Sequence, residues 1–216
     1  LNFIKKIIEK SQTKKLDIGY KFGLEFFNSK KGRNFIYKLK DKKIWLDLKL
    51  FDIPNTVYSS IIALKDLNNL KYLTVHASGG LEMMIAAKKA AKKINKKIKI
   101  LGVTILTSFS EKSLKKIGHT RSIKKIVKLQ AKLIRSAGLD GIVCSGHEAK
   151  IIKQTFKNFE IITPGIRFDG DKKQDQKRIM SPKQAFKNGA TAIVIGRSIT
   201  KGNIENNLQK LIKLLN

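Results

Sequence analysis

The chain has a single cysteine among 216 residues, only 16 acidic residues, and no apolar run approaching the roughly 18 residues needed to span a bilayer. One thiol, Cys144, cannot form an internal disulfide and supplies too few thiolates for a structural zinc site. Within the apolar run at residues 141–145, GIVCS, it reads as a buried core thiol. The opening LNFIKKIIEK lacks the apolar core and small-residue cleavage site of a secretory signal, so the expectation is a cytoplasmic protein with no membrane attachment.

The shortage of acid leaves a formal net charge of +30. Of the 46 basic residues only six are arginine: Arg33, Arg121, Arg135, Arg167, Arg178 and Arg197. The lysines are spread through nearly every helical segment (KKIIEK, AAKKAAKKINKK, IKKIVKLQAK), as solvated faces and not as one stripe, which argues against a specific nucleic-acid partner. What such a charge does supply is long-range attraction of small anions. At 42% hydrophobic and 29% charged residues the composition is that of a globular chain, and the length suits one domain spanning residues 1–216.

Short apolar runs rich in β-branched residues alternate with longer stretches of helical period, the pattern of a parallel sheet with crossover helices. Strands are expected near residues 18–22, 43–49, 72–76, 98–104, 141–144, 160–164 and 192–196. Helices are expected over 56–67, 80–94, 122–137, 148–156, 181–188 and 204–215. Gly138 and Gly189 suit the left-handed residue that ends a helix. Seven βα units with no linker between them imply a (β/α)8 barrel lacking one unit, or an open doubly wound sheet.

The most informative stretch is WLDLKLFDIPNT, residues 45–56. Strand alternation places Leu46, Leu48 and Leu50 on one face and Trp45, Asp47 and Lys49 on the other. Burying a carboxylate beside an ammonium costs several kcal/mol per ion unless each is partnered, so a core strand carrying both points to a site. Asp52 lies just beyond the strand, where the βα loops of a barrel build active sites. Pro54 ends the strand, and Thr56 is expected to cap the next helix. In the preceding strand, DIGYKFG (residues 17–23), Ile18, Tyr20 and Phe22 form the apolar face, while Lys21 stands between Gly19 and Gly23 with room to reach inward.

YKFGLEFF followed by LDLKLFDIPNT resembles the signature of orotidine 5'-phosphate decarboxylases, in their short bacterial form. The likeness continues in family order through VHASGG, VTILTS, GLDGIVCSGHEAK, TPGIR and IVIGRSIT, covering essentially the whole chain. The resemblance implies a (β/α)8 TIM barrel whose first strand, ending in an Ala-Leu-Asp-like run, lies upstream of Leu1. It implies decarboxylation of orotidine 5'-monophosphate to UMP with no metal and no organic cofactor, in a homodimer. Lys49 would be the proton donor, Asp47 would face the substrate carboxylate, Lys21 would bridge the carboxylates and the ribose, and Asp52 would be lent across the interface to the partner's site.

By the same resemblance Arg167 and Gln176 touch the phosphoribosyl end, Thr107 hydrogen-bonds the pyrimidine, and Ile53 and Thr56 line the site. Gly196 lets the backbone approach an anion, Arg197 offers a planar donor fork, and Ser198 opens a short helical stretch. The polar segment RFDGDKKQDQK, residues 167–177, suits a lid. His76 suits a neutral hydrogen-bonding role, and no histidine pair has metal-ligand spacing. A rival within the same structural class is the hexulose-phosphate synthase and ketogulonate-phosphate decarboxylase group, whose members need a divalent cation; DIPNT after DLK, together with TPGIR, favours orotidylate.

Overall fold

The computed structural model describes residues 1–156, 158–171 and 178–216. Its strands are β1 (Gly19–Gly23), β2 (Lys43–Leu50), β3 (Leu70–His76), β4 (Lys99–Val103), β5 (Gly141–Val143), β6 (Glu160–Ile166) and β7 (Ala192–Ile195). The helices are α1 (Asn2–Lys10), α2 (Leu24–Asn28), α3 (Gly32–Lys38), α4 (Pro54–Ile62), α5 (Gly80–Ile94), α6 (Glu111–Lys116), α7 (Ile123–Ser136), α8 (Gly146–Thr155), α9 (Pro182–Lys187), α10 (Arg197–Thr200) and α11 (Ile204–Leu215). No helix among the described residues is long and apolar enough to cross a membrane.

Two compact units divide the chain. The first to be described comprises Gly19–Thr104 and Lys128–Ile142. Its strands follow sequence order from β1 to β5, and β1/β2, β2/β3 and β3/β4 run parallel. Parallel strands need a crossover, and helices such as α4 and α5 supply it here. Ile44, Leu46, Leu73, Val75, Ile100 and Leu101 are fully buried on the sheet, and Met83, Met84, Ala87, Ala90 and Ala91 form the inward stripe of α5. Asp140 caps this core edge: its carboxylate accepts the Ile100 amide at 2.8 Å and the Lys88 ammonium.

The other unit comprises Leu1–Ile18, Ile105–Val127 and Val143–Asn216. It continues from the end of β5 through β6 to β7, with β6 and β7 parallel and the Cys144 amide donating to the Ile162 carbonyl. One core cluster here packs Phe168, Ile199, Ile204 and Leu211, and another packs Ile166, Ala185 and Ala190. Among the described residues the strand order reverses in neither unit, so they contain no topological switch point of the doubly wound kind. The architecture is α/β of the barrel type.

Local details follow from sequence with one correction. Gly138 (φ 70°) and Gly189 (φ 96°) are left-handed, as helix-ending glycines should be. Thr56 does not cap α4. That helix begins two residues earlier, at Pro54 in its first turn, with Ile53 in the cap position and no side-chain cap. Proline's fixed φ and missing N–H suit the first helical position, and this moved the start.

Candidate active site

β1 and β2 are paired in register, with Lys21 opposite Trp45 and Gly23 opposite Asp47. From there both lysines converge on one oxygen. Lys21 Nζ and Lys49 Nζ each lie 2.9 Å from Asp47 Oδ2. Asp47 is buried at 8% exposure, whereas the two lysine side chains keep a third of their surface. Burial pushes the Asp47 carboxyl up, but the ammonium of Lys21 and then that of Lys49 outweigh it and hold the group below the usual carboxylate range. The array is therefore a buried anion clamped by two cations.

β2 does not reach this arrangement by simple alternation. Leu46 pairs with Leu73 and Leu50 with Val75, so three residues of β2 (Asp47, Leu48 and Lys49) face the single residue Thr74 of β3. The bulge puts Lys49 in the left-handed region at φ 48°, one of two non-glycine residues with positive φ among those described. Such a conformation costs about 1–2 kcal/mol for a residue with a Cβ. Thr74, fully buried, fills the gap in the ladder: its Oγ1 accepts the Lys49 amide at 2.9 Å and donates to Asp47 Oδ1 at 3.1 Å.

Past the strand, Asp52 is exposed and its Oδ1 accepts the amide of Ile53 at 2.7 Å. It is flanked by two large apolar side chains in the open, Phe51 at 64% and Ile53 at 66% exposure. Thr56 is exposed on the first turn of α4. The Phe51 ring stacks on His76 with centroids 5.7 Å apart. His76 Nδ1 accepts the Ser78 amide at 3.2 Å, which leaves the ring proton on Nε2. Burial, and secondarily the charge of Lys49, lower its pKa, so the ring stays neutral.

The remaining expected site residues belong to the other unit. Thr107 is half-buried in the turn after β4. Arg167 is 7% exposed; its guanidinium donates to the Ile166 carbonyl at 2.8 Å, and its amide donates to the Met180 carbonyl at 3.0 Å. Gly196 is exposed at the N-cap of α10, and no atom lies within 4 Å of where a Cβ would stand. Arg197 begins α10, and Ser198, buried, hydrogen-bonds Asp171. Gln176 lies outside the described residues, as does most of the segment expected to be a lid. Among the described residues no group of three His, Cys, Asp or Glu side chains is placed to hold a metal ion.

The order of these elements is shared with proteins of known kind. The sequence pattern of the Orotidine 5'-phosphate decarboxylase / HUMPS family matches residues 6–210. The chain belongs to this family. It is 47% identical over 169 residues to an orotidine 5'-phosphate decarboxylase of Buchnera aphidicola subsp. Schizaphis graminum, covering 78% of this chain and 70% of that relative. A Wolbachia enzyme of the same name, from the subspecies of Brugia malayi, is 45% identical over 195 residues, 89% of this chain and 84% of that one. The crystal structure of orotidine 5'-phosphate decarboxylase from Lactobacillus acidophilus superimposes with a TM-score of 0.85 at 34% identity, covering 100% of this chain and 94% of that one.

With that membership the barrel-type fold acquires its class: a TIM-barrel lyase of the decarboxylase kind. Two groups that the sequence did not single out now stand in view. Thr74 is one; a hydroxyl in the apolar run of β3, in the strand beside the charged β2, was the available signal. The other is the ion pair of half-buried Arg178 with buried Glu148. Arg178 also lies close enough to act electrostatically on Cys144, whose thiol burial pushes up to about 12. Cys144 is thus the core thiol expected, at 2% exposure.

Proposed function

We propose that this chain removes CO2 from orotidine 5'-monophosphate to give UMP, with Lys49 as the proton donor and without metal or organic cofactor. The observation that carries the reading is the Lys21–Asp47–Lys49 array, two ammoniums on one buried carboxylate oxygen at 2.9 Å each. Loss of CO2 from a vinyl carbon leaves an electron pair that the pyrimidine ring cannot delocalise well, so the barrier has to fall through charge already in place. An ammonium fixed beside that carbon does this twice. It stabilises the negative charge as the carbon–carbon bond breaks, and then it transfers a proton to the same carbon, closing the balance of one CO2 lost and one C–H bond gained.

Asp47 serves two ends in this scheme. Held ionised by its neighbours, it keeps both cations oriented, and it repels a substrate carboxylate until that group departs as neutral CO2. The substrate's anionic tail is assigned to Arg167, Gln176, Gly196 and Arg197, its pyrimidine to Thr107, and its ribose to Lys21. Ile53 and Thr56 line the site. Asp52, exposed between apolar Phe51 and Ile53, suits an acid lent to a second copy of the chain across a symmetric interface.

The test is to add orotidine 5'-monophosphate to purified protein in EDTA and follow the loss of its ultraviolet absorbance. Turnover is expected, and Lys49→Ala should reduce it by several orders of magnitude while the protein stays folded. Activity that needs an added divalent cation, or a Lys49→Ala protein with wild-type turnover, would refute the reading. Mixing Asp52→Ala with Lys49→Ala subunits should restore part of the activity through hybrid dimers carrying one intact site; no recovery after proven subunit exchange would remove the shared-acid assignment.

A further inference from the structure

We infer that Thr74 is a positioning residue of the decarboxylation site, its single hydroxyl fixing the backbone of Lys49 and the carboxylate of Asp47 relative to each other. The inference rests on the functional reading above.

Three facts of geometry support it. First, the partners allow only one polarity. The Lys49 amide can only donate, and Asp47, kept ionised, can only accept, so the group between them must accept on one side and donate on the other. A hydroxyl does both, and Thr74 Oγ1 lies 2.9 Å from the Lys49 nitrogen and 3.1 Å from Asp47 Oδ1. Second, Thr74 stands alone opposite the bulge of residues 47–49, where β3 offers one residue to three. Its side chain stands in for the missing ladder partner of an amide whose residue is held at φ 48°. Third, the site is closed to water at this point, since Thr74 has no exposed surface. The strained backbone of Lys49 persists only where its surroundings over-determine it.

The carboxylate is thereby saturated in a defined way. Oδ1 takes the hydroxyl and Oδ2 takes both ammoniums, which fixes the plane of the carboxylate and with it the two Nζ positions. Thr74 lies behind Asp47 and acts on the reacting atoms only through it and Lys49. Removing the hydroxyl should therefore disturb the alignment of charge during reaction more than the binding of substrate.

The experiment compares Thr74→Val, which keeps shape and loses the hydroxyl, with Thr74→Ser, which keeps the hydroxyl, in decarboxylation of orotidine 5'-monophosphate and in thermal unfolding. Thr74→Val is expected to lower kcat about 10- to 100-fold, the worth of one hydrogen bond to a charged group, with KM changed less than about threefold. Thr74→Ser should stay within about threefold of wild type in both. Folded Thr74→Val with kcat within threefold of wild type, or Thr74→Ser as impaired as Thr74→Val, overturns the proposal. Should Thr74→Val fail to fold, Thr74→Ala removes the same hydroxyl without branching, and a folded Ala variant with unchanged kcat overturns it equally. Carbon-13 titration of the Asp47 carboxyl gives a reading independent of turnover. It should move upward in Thr74→Val and stay in place in Thr74→Ser; no movement in either refutes the role. If wild-type protein shows no decarboxylation, the functional reading fails, while the titration still decides the contact.

Discussion

Lys49 combines the charge to which proton donation is assigned above with a backbone that folding disfavours, and the two can be separated by a pair of substitutions. Lys49→Ala and Lys49→Gly both remove the ammonium, so both should lose activity alike. Their stabilities should differ. A Cβ at φ 48° costs about 1–2 kcal/mol, which alanine retains and glycine relieves. Glycine in turn loses about 0.5–1 kcal/mol through the greater freedom of the unfolded chain. The balance favours Lys49→Gly by about 0.5–1 kcal/mol, which for a chain of this size raises the thermal midpoint by about 1–4 °C over Lys49→Ala. The loss of the ammonium itself cancels between the two variants, because Asp47 keeps Lys21 in both. Calorimetry at one pH and one protein concentration decides the sign. A Lys49→Ala protein as stable as Lys49→Gly, or more so, would show that the left-handed backbone is not strained and would remove strain from the account of this site.

Two further predictions concern charge and packing. Asp47→Asn leaves two ammoniums near each other without their anion; breaking a buried pair costs about 3–5 kcal/mol, reduced to about 2 kcal/mol here because both lysines keep a third of their surface in water. Because the Asp47 pKa is depressed below its ordinary 3.8, its stabilisation is present above that value and is lost as pH falls through the folded-state pKa. The gap between wild type and Asp47→Asn should therefore be full at pH 7 and narrow below pH ~4, as urea melts at both pH values would show, and a gap independent of pH would refute it. Gly32→Ala would put a Cβ 1.6 Å from the Phe26 carbonyl oxygen, a backbone atom that cannot rotate aside, and should lower the thermal midpoint by about 4–8 °C through a cost of about 2 kcal/mol; an unchanged midpoint would mean that the α2–α3 turn shifts freely.

The sequence was legible wherever local rules govern. The apolar periodicity of α5 and α11 located both helices to the residue, because one face of each is buried and the ends fall at clear breaks in pattern. β1 and β2 were located to within a residue, and the charges within their apolar runs are the ones that the structure brings together. What failed was geometry that depends on a neighbouring strand. Alternation along β2 assumes a regular pleat, whereas the true placement of Lys49 comes from a bulge defined only against β3. Thr74 gives no local signal of its contacts for the same reason: they depend on which residues it faces, not on its own run. Arg178 and Glu148, 30 positions apart in a chain crowded with lysines, gave no sign of pairing. Cap position failed at α4 because two start signals competed, and proline at the first turn outweighed a threonine two residues on.

The presence of a carboxylate in the array has a physical reason of its own. Two ammoniums alone would attract an anionic substrate more strongly, and a chain of net charge +30 already attracts anions from a distance. Attraction of that kind favours the bound substrate and the transition state together, so it improves capture and not the chemical step. In the proposed reaction a carboxylate on the same oxygen-to-nitrogen contacts would change the balance, because it would oppose a negative group in the ground state and cease to oppose it once that group left as a neutral molecule. For this to work the carboxylate has to remain ionised in a buried place, which costs several kcal/mol unless it is fully partnered. Lys21, Lys49 and the Thr74 hydroxyl provide that partnering. The lysine at positive φ and the buried threonine are thus parts of one arrangement around Asp47, in which one hydroxyl joins the Lys49 amide to the Asp47 carboxylate.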